Sequence, residues 1–282
     1  MFTLKIKNSL GELYELTHHH EKYVVIGVEG LTPPPISVNT STGGVLDGSF
    51  FNSARAQQRN IVITVLLQGL IEKNRAELYR IFTLKKPCEL YFKNVNRDVK
   101  IECYVESIES DLFVAQEQVQ ISLICPRAYF EDAETILTEL STIYDRFRFP
   151  FSITQPIPLA KIAETPMCVI ENAGDAETGA IFEVTIKQSL TEFTIHSTTT
   201  GESFGVHFVF VAGDIVTIDT IAGEKSVKIK RGEQEENLIN WITDGSKWLK
   251  LALGTNRFTL TTSLTPTSAD VMVYSHSLYG GV

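Results

Sequence analysis

Cysteine is scarce: four are spread over 282 residues, at 88, 103, 125 and 168, and no two have CxxC spacing. Cys103 and Cys125 fall in strand-like alternations, which favours reduced, buried thiols in a chain made in a cytoplasm over a disulfide framework. Basic charge is also in deficit, with 25 Lys and Arg against 34 Asp and Glu and a net charge of −9. Such a surface repels phosphates, and no cationic cluster interleaved with aromatics offsets it, so nucleic acid is not an expected ligand. Long apolar runs are missing too. The longest, around Val206 to Ala212, is broken by His207 and falls far short of the roughly 20 residues that span a bilayer. The first residues alternate Phe2, Leu4 and Ile6 with Thr3, Lys5 and Lys7, the pattern of a strand and not of a signal peptide. Neither secretion nor membrane insertion is expected.

Catalytic signatures are absent as well. There is no GxSxG elbow, P-loop, HExxH or EF-hand loop. His18, His19 and His20 are consecutive, and neighbours on a strand or helix diverge too far for all three rings to bind one metal. Asp214 and Asp219 bracket a strand and serve its turns, while Glu233, Glu235 and Glu236 read as a solvated loop. No catalysis, metal or cofactor is expected.

What the sequence does contain is period-2 alternation. Val99, Ile101, Cys103 and Val105 alternate with polar residues or Tyr104, and Val119, Ile121 and Leu123 with Gln118, Gln120 and Ser122. Ile61, Ile63, Val65 and Leu67 form a longer strand. One helix is expected over 71–82, where Ile71, Asn74, Leu78 and Phe82 share a face between Gly69 and Pro87. The first part therefore reads as a mostly antiparallel β unit with one packed helix. Residues 131–144 suit a short helix or a linker, and Pro150, Pro156 and Pro158 follow in a stretch unsuited to a central strand. These signals divide the chain into 1–140, a Pro-rich linker at 141–155, and 156–282. The second half holds many short strands separated by Gly, Asn and Asp turns, including a stretch at 248–251, and one helical turn near 236–241. That spacing predicts a β-sandwich or jelly roll.

The segment from Gly30 to Gly69 stands apart. Pro33, Pro34 and Pro35 favour an extended polyproline conformation, and Gly43-Gly44 and Asp47-Gly48 are turn signals. A stretch this long and polar is expected to be functional and to reach a partner. Trp241 and Trp248 admit two readings: flat faces of a sugar site, or filling of the sandwich core.

The order of these features resembles the siphovirus-type tail component family, the distal tail proteins of siphophages. The resemblance runs through GLTPPP, GGVLDGSFF, Arg55 and Arg59 leading into NIVITVLLQG, then NRAELYRIF, CELYF, VKIECYVESIES and QEQVQISLICP. It continues with FPF, IENAGDAETGAIFEV, AGDIVTIDTIAGEKSV and KWLKLALGTNRFTL, where Leu253 replaces the Pro usual before Gly254. It implies a mainly β, non-enzymatic structural protein of the virion tail, made in the cytoplasm of the infected or lysogenic bacterium. It also implies two β-sandwich domains: an N-terminal one with a packed helix that builds a homo-hexameric ring, and a C-terminal galectin-like or carbohydrate-module-like one that projects outward. The implied partners are the tail tube protein, a tail-associated tip or fibre protein, and a receptor-binding protein or cell-wall sugar. The arm from Leu31 to Phe51, with Pro33, Pro34, Pro35, Gly43, Gly44 and Asp47, is then the candidate contact with neighbouring copies or tube. Arg55 and Arg59 are read either as forks for a neighbour's carboxylates or as intrachain residues.

Overall fold

A computed structural model describes residues 2–17, 20–44, 47–114, 116–145 and 160–282. The chain forms two units, 1–134 with 278–282 and 135–277. The first unit runs through β1 (Thr3–Lys7), β2 (Leu13–Leu16), β3 (Tyr23–Glu29), β4 (Ile36–Ser41), β5 (Phe50–Ala56) and β6 (Arg59–Leu67). Helix α1 (Ile71–Ile81), β7 (Pro87–Lys93), β8 (Asp98–Ser110), β9 (Gln118–Cys125) and β10 (Phe130–Asp132) follow.

Seven of these strands make an antiparallel sheet in the order β2-β1-β7-β8-β9-β6-β3. The alternation seen in the sequence sets its inner face: Leu4, Ile6, Ile61, Ile63, Val65, Leu90, Ile101, Ile121 and Leu123 are all buried. The sheet wraps around this core until its end strands meet, with Thr17 bridging Val24 and the Val25 N–H donating to the Thr17 carbonyl at 3.2 Å. Few edges are left open, which limits unwanted strand pairing. Helix α1 turns Asn74 and Leu78 inward, as its spacing predicts, and adds Ile81 to the core, while Phe82 just beyond it is buried too. Buried Asn74 donates to the Gln68 carbonyl at 2.6 Å, tying the helix to the end of β6. Arg75 grips both oxygens of buried Glu117 at 2.8 Å each, tying it to the start of β9.

The second unit comprises β11 (Ile136–Asp145), β12 (Ala160–Asn172), β13 (Ala180–Ile186), β14 (Leu190–Ser197), β15 (Ser203–Phe210) and β16 (Ile215–Asp219). Then come β17 (Ser226–Arg231), β18 (Gln234–Asn237), β19 (Gly254–Thr262) and β20 (Ala269–Ser275). The strand order is β15-β14-β19-β12-β11-β20-β13-β16-β17-β18. Strand β11 is the corner, pairing β20 with its first half and β12 with its second across a register shift. The two layers so formed face each other, and Phe182 of β13 meets Phe258 of β19 edge-on at 5.4 Å. This is the expected sandwich.

Three expectations change. Residues 131–144 form neither helix nor linker but β10 and most of β11, so the division lies after Glu134 and not within 141–155. The Pro-rich stretch 146–159 lies outside the described residues. Residues 248–251 form no strand: Leu251 makes one bridge to Thr178 and no ladder extends it. Finally, the chain returns to its first unit through β21 (Leu278–Tyr279), which pairs with β10, Tyr279 opposite Phe130 and Leu278 opposite Glu131. All four cysteines are free and buried. No helix among the described residues is long and apolar enough to cross a membrane.

Asp214 fixes the turn after β15. Its buried carboxylate accepts from Arg231 Nε at 2.8 Å, Arg231 Nη2 at 2.6 Å and the Val211 N–H at 2.9 Å. The Arg231 hydrogen bonds hold its carboxyl below the usual carboxylate range, against the opposing effect of burial. A depressed folded-state pKa contributes stability that is present above the unfolded value of about 3.9 and is lost as pH falls through the folded value. Calorimetry is therefore expected to show the unfolding temperature of the second unit dropping as pH falls below about 4. Asp214→Asn should lower stability at neutral pH and flatten that acid-side dependence.

Candidate assembly surface

Between β3 and β6 the chain leaves the main sheet. Strands β4 and β5 pair only with each other, as a separate two-stranded sheet. The polar stretch expected to be an extended loop is thus a hairpin, with the Pro run confined to its root. Register places Ile36 opposite Ala56, Val38 opposite Ala54 and Thr40 opposite Phe51. Asn52 is the extra residue of a bulge at Asn39/Thr40, and the bulge turns Phe51 onto the face of Ile36 and Val38. That face is apolar and open: Ile36 is 61% exposed, Val38 54% and Phe51 67%. The opposite face carries Ser37, Asn39 and Ser41, with Asn39 donating to Ser53 at 3.0 Å, and is polar except at its outer end, where exposed Phe50 stands opposite Ser41. Arg55 stands on the polar face opposite Ser37 and is exposed. Near the tip Gly43 is half-buried under Phe50, while Gly44 and Asp47 are exposed.

The root of this arm is held from inside. Arg59, the first residue of β6, is not a surface contact as one reading had it; it is 1% exposed. Its Nη1 donates to the Gly30 and Thr32 carbonyls at 2.6 and 2.7 Å. Its Nε and Nη2 reach the Ala128 carbonyl at 3.2 and 3.0 Å, and Nη2 also donates to the Gly280 carbonyl. The guanidinium lies 4.3 Å from the centre of the Phe130 ring. Burial pulls its pKa below the usual arginine value, but an arginine stays charged in proteins.

Around this node the backbone packs too closely for side chains. Gly30 has φ +82, and a Cβ there would sit 2.0 Å from the Asn60 carbonyl oxygen. A Cβ on Gly281 would lie 3.0 Å from Pro33 Cδ, and the Val282 N–H donates to the Leu31 carbonyl at 3.1 Å. Half-buried Leu31 packs on the core, Pro33 is exposed, Pro34 is half-buried, and exposed Pro35 accepts from the Gln57 N–H at 2.9 Å across the root. Arg97 reinforces the returning segment, donating to the Gly281 carbonyl and lying 4.5 Å from the Tyr279 ring centre.

Two family models match the chain. Residues 11–125 match the phage tail protein RIFT-related domain, and residues 173–273 match the siphovirus-type tail component, C-terminal domain. The chain belongs to the siphovirus-type tail component family. The fold of this tail component is also that of solved phage proteins. The crystal structure of the SPP1 Dit protein, described as a paradigm of the hub adsorption apparatus in phages infecting Gram-positive hosts, is 13% identical with a TM-score of 0.68. That match covers 98% of this chain and 99% of the SPP1 chain. A chain of the phage p2 baseplate in its activated conformation with Ca is 9% identical with a TM-score of 0.57, covering 97% and 98%. No curated protein sequence matches the tail component.

The remaining candidates part company. Trp248 is half-buried and packs on the second core against Phe204 at 4.9 Å, which fits the filling role. Trp241 is 46% exposed beside Phe208. His18 and His19 lie outside the described residues, and His20 accepts from the Lys22 and Tyr23 N–H groups. Among the described residues no group of three or more His, Cys, Asp or Glu is placed to hold a metal. The apolar face of the arm escaped the sequence reading, although Ile36, Val38 and Phe51 were its only signal.

Removing the Arg59 guanidinium leaves backbone carbonyls buried without donors. Arg59→Leu is expected to destabilise the first unit by about 3–5 kcal/mol, leaving the unfolding of the second unit unchanged in calorimetry. Arg59→Lys should recover only part of the loss, because an ammonium cannot fork to four carbonyls.

Proposed function

We propose that the tail component is a non-enzymatic hub subunit that assembles into a closed hexameric ring at the distal end of the tail tube. In this reading the tube protein binds one side of the ring and a tip or fibre protein the other. The observation that carries it is the arm: a two-stranded sheet with an open apolar face on a root fixed by Arg59. An isolated hairpin is marginally stable in water, so an arm of this kind calls for a surface to cover it. A second copy of the chain is the occupant that the family favours. Each copy giving its arm to the next is a head-to-tail contact, which closes into a ring when the rotation between copies permits. The hub role is supported by the SPP1 relative, described as the paradigm of a hub, and by the p2 baseplate chain.

Light scattering coupled to size exclusion tests the ring. The full chain is expected to run with the mass of six copies, and Val38→Asp with Phe51→Asp is expected to shift it towards one copy. Because both side chains are exposed, thermal unfolding of each unit should barely move. A full chain that stays monomeric at high concentration, or a double variant with unchanged mass, would count against the arm as the ring contact.

A further inference from the structure

The second unit carries a cavity that assembly does not explain. Strands β15 and β18 are the two ends of its sheet. A cavity of about 330 Å³ opens there, lined by Phe208, Ile229, Arg231, Gln234, Glu235 and Glu236. Its two walls differ in chemistry.

The apolar wall is an oriented aromatic. Phe208 is half-buried and held edge-on by Phe210 at 5.6 Å and by Trp241 at 5.1 Å. Ile229, only 3% exposed, supplies the apolar floor.

Register builds the polar wall. Gln234 stands opposite Arg231 and Glu236 opposite Ile229, so both belong to the face that carries the buried Ile229. Glu235 lies on the other face and pairs with Lys228 at 2.8 Å. Asp214 takes Arg231 Nε and Nη2, and the Val209 carbonyl takes Nη2 again. The fork is thereby aimed, and Nη1 keeps its N–H groups unbonded among the described residues. Neither Gln234 nor Glu236 makes a side-chain hydrogen bond to those residues.

A held donor, two exposed polar side chains and a fixed aromatic ring lining one cavity suit a ligand that is apolar on one face and rich in hydroxyls at its rim. The volume sits at the lower end of small-molecule sites, where one ring fits. Glu236 and the acidic balance of the chain disfavour phosphates and other anions.

We propose that this cavity binds one neutral pyranose ring, stacked on Phe208 and hydrogen-bonded by Arg231, Gln234 and Glu236. The site goes beyond the hub reading and does not depend on it. It also shifts the sugar contact from the pair of tryptophans to Phe208, with Trp241 behind it.

Saturation-transfer NMR on the full chain tests the proposal, with methyl β-galactopyranoside, methyl β-glucopyranoside and N-acetylglucosamine as probes and ribose 5-phosphate as an anionic control. At least one pyranoside is expected to bind with a Kd of about 1 mM, or about −4 kcal/mol, its ring C–H protons receiving most of the transfer. The anionic control should show none. Gln234→Ala with Glu236→Ala should weaken binding about tenfold or more, leaving unfolding temperature and oligomeric mass unchanged because both residues are exposed on an edge strand. Phe208→Leu should abolish transfer, and if that variant unfolds the β18 pair decides alone. The proposal fails if none of the pyranosides binds, if the β18 variants bind as the parent does, or if ribose 5-phosphate binds equally well. Mass by light scattering is read on the same samples, so loss of sugar binding and loss of the ring are separate results.

Discussion

A guanidinium withdrawn from water costs several kcal/mol unless hydrogen bonds replace its hydration. Arg59 meets that condition with its five N–H donors all directed at backbone carbonyls, those of Gly30, Thr32, Ala128 and Gly280. These carbonyls belong to the end of β3, the root of the arm, the loop after β9, and the segment after β21. Backbone oxygens cannot be protonated away or substituted by mutation. The node is therefore specific in geometry and insensitive to pH in the ordinary range. Its neighbours follow from it: Gly30 and Gly281 lack side chains because the segments they carry must approach closely.

The same constraint gives the arm its character. Strands β4 and β5 have no sheet beneath them, so their own stability is small. Because the root is fixed, less conformational freedom remains to be lost when the blade meets a surface, and preorganisation of that kind favours affinity. The bulge at Asn52 completes the design. Without the extra residue, the period of two would place Phe51 among the polar side chains; with it, Phe51 joins Ile36 and Val38.

Much of the fold was legible because β-alternation reports which face is buried. Val99 to Val105, Gln118 to Leu123 and Ile61 to Leu67 all lie in strands with the expected face inward, and α1 follows its apolar spacing. Long-range constraints were not legible. Residues 131–144 carry little alternation and gained their strands from partners outside the segment, β8, β21, β20 and β12. Arg59 looks in sequence like any arginine at the end of a loop. Its burial depends on carbonyls from residues 30 to 280, which no local pattern discloses. The arm was singled out for its prolines and glycines, yet its open apolar face comes from Ile36, Val38 and Phe51 set among small polar residues.

The return of the chain to its first unit sets where the sequence is free to vary. The second unit enters after β10 and leaves before β21, and those two strands are paired. Inside the second unit, β11 and β20 are paired as well, with Ile136 opposite Ser275. The inserted segment thus has its two ends side by side, and closing an insertion of this kind costs the host little entropy whatever its length. Changes in the loops and edges of the second unit, its cavity included, leave the Arg59 node intact provided that residues 278–282 come back to the same place. The heaviest constraint on a chain of 282 residues accordingly falls on a few: one arginine, two crowded glycines and a five-residue return.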